Sequence, residues 1–210
     1  MMKSRMFDIF IWGITVVFFI GVFFLPEQVP LHWNVNWEID RYGSRYELLI
    51  MIFIPLITYY GLLLTKKIDP KLKIIKKRER TYELIRKLIS IFFVLVVGFF
   101  YILTISPIEN ATFIVCFLIG GLYTLVGNYM PKFPQNYFLG IRNPWTLSNE
   151  RVWIQTHKKG GYLYVVGGLL IILGGLLSPK KSIIIIISVV IIDVLLTMSY
   201  SYIEYKRLTK

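Results

Sequence analysis

The chain has 210 residues, 56% of them hydrophobic and only 17% charged, with a mean hydropathy of +0.62 and a formal charge of +12. A soluble domain is roughly 45–50% apolar and about 25% charged, whereas here the apolar residues stand in long unbroken blocks that a water-soluble fold would have to expose. An ordinary globular enzyme and a disordered chain are excluded, and one cysteine cannot build a disulfide scaffold.

Crossing a bilayer takes about 20 apolar residues. Blocks near that size cover residues 7–25, 48–65, 88–105, 111–130, 161–177 and 182–200. They predict an all-α polytopic membrane protein with six transmembrane helices. The first block ends in Phe23-Phe24-Leu25-Pro26 instead of a small-x-small cleavage site, so it is expected to stay as a span. Of the 24 Lys and Arg residues, 20 fall on the side that holds the N-terminus, the 66–87 and 131–160 loops and the C-terminal tail. Basic residues stay cytoplasmic, so both termini are predicted inside. The positive charge then reflects topology, and no direct nucleic-acid binding is expected. Loop lengths divide the chain into residues 1–107, with a long extracellular loop at 26–47, and residues 108–210, with a cytoplasmic loop at 131–160.

The extracellular loop concentrates His32, Trp33, Asn34, Trp37, Glu38, Asp40 and Tyr42 beside the membrane. Pro26 and Pro30 force an extended start, and Tyr42-Gly43-Ser44 reads as a turn. Trp33, Trp37 and Tyr42 suit the head-group belt. Two readings stay open: an ordered interfacial cap, or a receptor surface for an apolar or cationic extracellular peptide. The next loop carries Lys66, Lys67, Lys71, Lys73, Lys76, Lys77, Arg78 and Arg80. These would draw anionic membrane lipids at about 1 kcal/mol each near the surface, or hold an acidic cytoplasmic partner.

In the fourth block Gly120-Gly121 is followed by Gly127, and glycine pairs recur at 160–161, 167–168 and 174–175 in the fifth. That seven-residue spacing places small residues on one face and predicts a closely packed helix pair. Cys116 reads as a small apolar residue of the fourth span. In the 131–160 loop, Thr146 or Ser148 is a plausible N-cap with Glu150 in the first turn. Trp153 and His157 share a face four residues apart, with Lys158, Lys159 and Gly160 at the end, so a short interfacial helix is expected there. Asp193 is the one charge deep within a span. An ionised carboxylate costs at least ~2.5–3.5 kcal/mol there, so it should face the bundle near Tyr123 and Thr124, either as a proton-relay or gating group or as structural polar glue.

No catalytic set assembles. His32 and His157 lie on opposite sides of the predicted membrane, so neither a metal site nor a Ser/His/Asp or Cys/His set can form on one side. Phosphate-cradling glycine loops and HExxH are absent from the sequence. The expectation is a non-enzyme without cofactor or metal.

Two segments carry a resemblance. The stretch from Asn136 through Gly140, Arg142, Pro144, Trp145, Thr146, Asn149 and Trp153, then Thr156, His157 and Gly161, is similar to the signature of the SdpI family of bacterial membrane immunity proteins. Leu25-Pro26, Val29-Pro30, His32-Trp33-Asn34, Asp40 and Tyr42-Gly43 resemble the three-span domain of unknown function that often precedes it, except that Trp37 stands where that motif usually has a glycine. The resemblance implies a six-span protein of the bacterial cell membrane that protects its producer from a secreted membrane-active peptide toxin. It also implies a receptor role in the best-known type, which draws a small winged-helix autorepressor to the membrane. The alternative, from the residues alone, is a small proton- or ion-coupled transporter or exporter subunit that uses Asp193.

Overall fold

The computed structural model describes residues 4–106, 108 and 111–209. The expected boundary at residue 107 lies outside the described residues, as do Lys3 and Lys210 of the basic count. Helix α1 (Ser4–Gly21) leads into a hairpin of β1 (Gln28–Trp33) and β2 (Ile39–Ser44), then α2 (Leu48–Ile68), α3 (Leu72–Lys77) and α4 (Glu79–Ile105). Helices α5 (Ala111–Tyr129), α6 (Pro144–Ser148), α7 (Glu150–Gly174) and α8 (Pro179–Thr209) complete the chain. The protein is thus an all-α polytopic membrane protein with one short hairpin. Among the described residues five helices are long and apolar enough to cross a membrane: those of residues 5–24, 45–68, 79–105, 111–132 and 179–209. The block expected at 161–177 is the apolar half of α7, whose first turns carry Glu150, Arg151, Lys158 and Lys159.

In the first half, α1, α2 and α4 close around Phe7, Ile11, Leu56, Tyr59 and Val94. At one end of this bundle Lys66 donates to Glu79 at 2.6 Å and Glu83 at 2.8 Å. Arg86, 2% exposed, pairs with Glu83 at 2.5 Å and lies 3.9 Å from the centre of the Tyr59 ring. Charges removed from water are held only with such partners. The 66–87 segment is therefore mostly helix, and Lys66 is committed to a buried network and not offered to lipid head groups.

At the other end the hairpin packs on the membrane helices. Arg45 donates to the Leu25 carbonyl at 2.7 Å and the Phe23 carbonyl at 3.2 Å, which fixes the hairpin to the end of α1. The turn expected at Tyr42-Gly43-Ser44 is instead part of β2, paired with Gln28–Pro30. The chain reverses at residues 34–38, because the Asn34 side chain accepts the amides of Asn36 at 2.9 Å and Glu38 at 3.1 Å, a local closure that asparagine favours.

In the second half α5 and α7 meet through their glycines. A Cβ on Gly120 would fall on the Gly168 carbonyl, and one on Gly127 would come within 2.8 Å of the Gly161 carbonyl. The reciprocal clashes occur at Gly168 and Gly161, so the two backbones are in direct contact, as the spacing predicts. The same glycines refute the predicted helix stop at Gly160: α7 runs unbroken through it to Gly174.

Candidate functional site

Residues 131–161 fold into a clasp built on the first turns of α7. Asn136, fully buried, closes the loop on itself: its Oδ1 accepts the amides of Phe138 at 2.8 Å and Leu139 at 2.6 Å, and its Nδ2 donates to the carbonyls of Pro134 and Leu139. The loop then turns at Gly140, whose φ of +103° lies in the region that glycine tolerates. A side chain there would also strike the His157 ring.

His157 is 0% exposed and bridges helix and loop. Its Nε2 accepts the Ile141 amide at 3.0 Å and its Nδ1 donates to the Trp153 carbonyl at 2.8 Å. One nitrogen accepts while the other donates, so the imidazole is neutral and its tautomer fixed. Burial lowers its pKa from 6.5 to about 4. The ring stacks on Trp153 with centroids 3.9 Å apart, and Trp153 Nε1 donates to the Phe133 carbonyl at 3.0 Å.

The caps differ from those expected at Thr146 or Ser148. Asn143 caps α6, with its side chain accepting the Thr146 amide at 2.9 Å while the Thr146 hydroxyl accepts the Asn143 amide at 3.0 Å. Pro144 follows at the first helical position, where a missing N–H costs nothing. Asn149 caps α7 by accepting the amides of Arg151 and Val152. Asn143 also donates to Ser201 of α8 at 2.8 Å, and Gln135 donates to the Thr146 carbonyl at 2.7 Å.

The clasp is bound to the first half of the chain. Asp69, 3% exposed, accepts the Tyr137 amide at 2.8 Å, and Lys71 donates to the Leu147 carbonyl at 3.1 Å. Lys71 also lies 5.7 Å from the centre of the Tyr137 ring, and burial lowers its pKa.

The signature residues thus come together in one cluster but divide by exposure. Asn136, Thr146, Trp153, Thr156, His157 and Gly161 are buried and hold the fold of the clasp. Arg142 and Pro144 are exposed, and Trp145 is half-buried against Tyr202, centroids 5.1 Å apart. Arg142 donates to the Tyr137 carbonyl at 2.7 Å, so its guanidinium is anchored yet reachable.

The hairpin residues stand at the opposite end of the molecule. His32 pairs with Asp40 at 2.6 Å and Asn34 with Glu38 at 2.9 Å, both in the open, and Tyr42 is 58% exposed. Trp33 and Trp37 are not free platforms: they stack 5.8 Å apart and pack against the cluster of Phe99, Leu103 and Ala111. Trp37 holds φ at 67°, a left-handed conformation in which glycine carries no side-chain penalty.

Asp193 joins neither group. It is 4% exposed on α8, with Oδ2 3.0 Å from where a Cβ on Gly167 would stand and Tyr123 on the same glycine. That oxygen is buried beside Tyr123, and the hydroxyl of Thr124 is buried with no hydrogen-bond partner among the described residues. Tyr123 stacks on Tyr164 at 4.2 Å. Sequence reasoning missed Asn143, Gln135 and Asp69. Asn143 was findable as an N-cap residue directly before Pro144, but nothing local marks the others.

Residues 132–201 match the model of the SdpI/YfhL protein family, and residues 9–56 match that of DUF1648, a domain of unknown function. The chain is 27% identical to Immunity protein SdpI of Bacillus subtilis (strain 168) over 186 residues, covering 88% of this chain and 87% of the relative. No solved structure matches it. The first region takes in nearly all of the clasp, α7 and most of α8, and the second most of α1, the hairpin and the start of α2; the chain is a multi-pass membrane protein whose second half is similar to the SdpI/YfhL family and whose first half is similar to DUF1648.

Proposed function

We propose that this protein is an integral membrane immunity protein that protects the cell carrying it from a secreted membrane-active peptide toxin. The observation that carries this reading is the likeness to an immunity protein over nearly the full length of both chains. With the basic ends inside, the hairpin faces the toxin and offers His32, Asn34, Glu38, Asp40 and Tyr42 to it. The clasp faces the cytoplasm, and Arg142, Pro144 and Trp145 form the surface that receives a small repressor. The buried members of the signature position that surface and do not touch the partner. In this reading the protein performs no catalysis and works by binding on two faces of a rigid frame.

A second reading draws on Asp193. An acidic side chain buried within a membrane span and facing the bundle interior is the kind of group that marks proton and ion pathways in membranes. Expression in a toxin-sensitive bacterium separates the two. Survival that persists in Asp193→Asn supports immunity by binding, and survival that disappears with that substitution supports transport.

A further inference from the structure

A groove of about 650 Å³ opens on the outside of the bundle between α7 and α8, within the ~300–1,000 Å³ typical of small-molecule sites. Leu163 and Val166 of α7 and Leu196 of α8 line its apolar part, while Thr197, Ser199 and Tyr200 of α8 add polar groups level with the first turns of α7, since Thr197 packs at Gly160. Lys159 stands at the end nearer the clasp, the only charged residue of the lining, and Thr156 closes that end. Thr156 is 0% exposed, and its Oγ1 has no hydrogen-bond partner among the described residues. A buried hydroxyl is nearly always paired, so this one marks a place where a polar group of a ligand is wanted. From Thr156 to Val166 the groove follows about 15 Å of helix, starting beside the clasp and entering the apolar block at residue 161, so its one cation stands at the head-group end of the leaflet on that side.

We infer that this groove holds one anionic phospholipid of the leaflet on the clasp side. An acyl chain starts along Leu163, Val166 and Leu196, and the phosphate sits at Lys159 within reach of Thr156. The occupant is a lipid and not a helix of a partner, because Lys159 and the hydroxyls of Thr156, Thr197, Ser199 and Tyr200 gather in the clasp half of the groove and the half that enters the membrane is lined by Leu163, Val166 and Leu196. The site differs from the general attraction of the basic 66–87 segment, since it needs one named lysine joined to an apolar slot.

The test is native mass spectrometry of the full-length protein released from bilayers that contain equal amounts of phosphatidylglycerol and phosphatidylcholine. The wild type is expected to retain phosphatidylglycerol about fivefold over phosphatidylcholine, the preference one interfacial cation gives. Lys159→Ala should abolish that preference, while Lys158→Ala, which alters the neighbouring exposed lysine outside the groove, should keep it. Leu163→Trp, which fills the slot, should reduce retention of both lipids. Equal retention of the two lipids by the wild type, or equal loss of preference in Lys158→Ala and Lys159→Ala, would overturn the assignment. A homodimer split by Leu163→Trp would overturn it too, giving the groove to a second copy of the chain.

Discussion

The carboxylate of Asp69 accepts the backbone amide of Tyr137 at 2.8 Å, across 68 positions of sequence. Its other oxygen accepts the amide of Lys71 at 2.7 Å, and Lys71 reaches on to the Leu147 carbonyl. One buried acid therefore fastens the end of α2 to the clasp, and with it the two halves of the molecule at the basic end.

Removing that acid should loosen the clasp while leaving the helices in place. Asp69→Ala is expected to cost about 1–3 kcal/mol locally, the penalty of a buried donor left unpaired. Amide hydrogen exchange over residues 136–147 should accelerate in this variant, and Asp69→Asn, which keeps an acceptor, should recover part of the protection. Unchanged exchange in Asp69→Ala would show that the clasp does not depend on this bond.

His157 should make the clasp acid-sensitive. Its folded pKa of about 4 lies below the unfolded 6.5, so the unfolded state takes up the proton first as pH falls. The stability contributed by the neutral ring is full above about pH 6.5 and is lost progressively down to about pH 4, at most about 3 kcal/mol in total. Thermal unfolding of wild type and His157→Gln across that window should show a steeper pH slope for the wild type. Parallel slopes would mean that His157 is not held in its neutral form.

The close approach of α5 and α7 gives a paired test. Gly120→Ala places a methyl on the Gly168 backbone and should destabilise the protein by about 1–3 kcal/mol through overpacking. Gly121→Ala, one residue on, has nothing within 4 Å of the new methyl and should be neutral or slightly stabilising through helix propensity. Denaturation in detergent measures both, and similar losses for the two would contradict the backbone contact.

Much of this fold is legible in the sequence because lipid admits few solutions. Apolar blocks and glycine spacing act locally, and they suffice for the helices and for the α5–α7 pair. The role of Lys66 depends on partners distant in sequence, whereas the hairpin reversal and the α7 start are set by Asn34 and Asn149, local side chains that compete with neighbouring turn and cap residues. Asn34 wins over Tyr42-Gly43-Ser44 as the turn because its side chain closes two amides. Gly160 does not end α7 because α7 needs small residues along its face for packing, and its neighbour Gly161 lies against α5. Lys66 leaves the lipid-facing set because Glu79 and Glu83 of α4 come within reach only after folding. Within the signature, residue types alone do not separate the exposed Arg142 from the buried His157, since both stand in a polar-aromatic segment.

Arg142→Ala should leave membrane insertion unchanged and the free energy of unfolding within about 0.5 kcal/mol of wild type, as exposed substitutions usually do. Co-purification of a membrane-bound repressor should nevertheless fall sharply in that variant and in Trp145→Ala. Retention of the repressor by both variants would remove the proposed cytoplasmic contact surface.

The most direct measurement of the central proposal is survival. A toxin-sensitive bacterium expressing the chain, with insertion verified by fractionation, is challenged with a secreted membrane-active peptide toxin of the kind that SdpI-type immunity proteins resist. The immunity reading expects survival well above an empty-vector control, reduced by the paired hairpin substitutions Glu38→Ala and Asp40→Ala and retained in Asp193→Asn. Killing equal to the control, with the protein confirmed in the membrane, would contradict it.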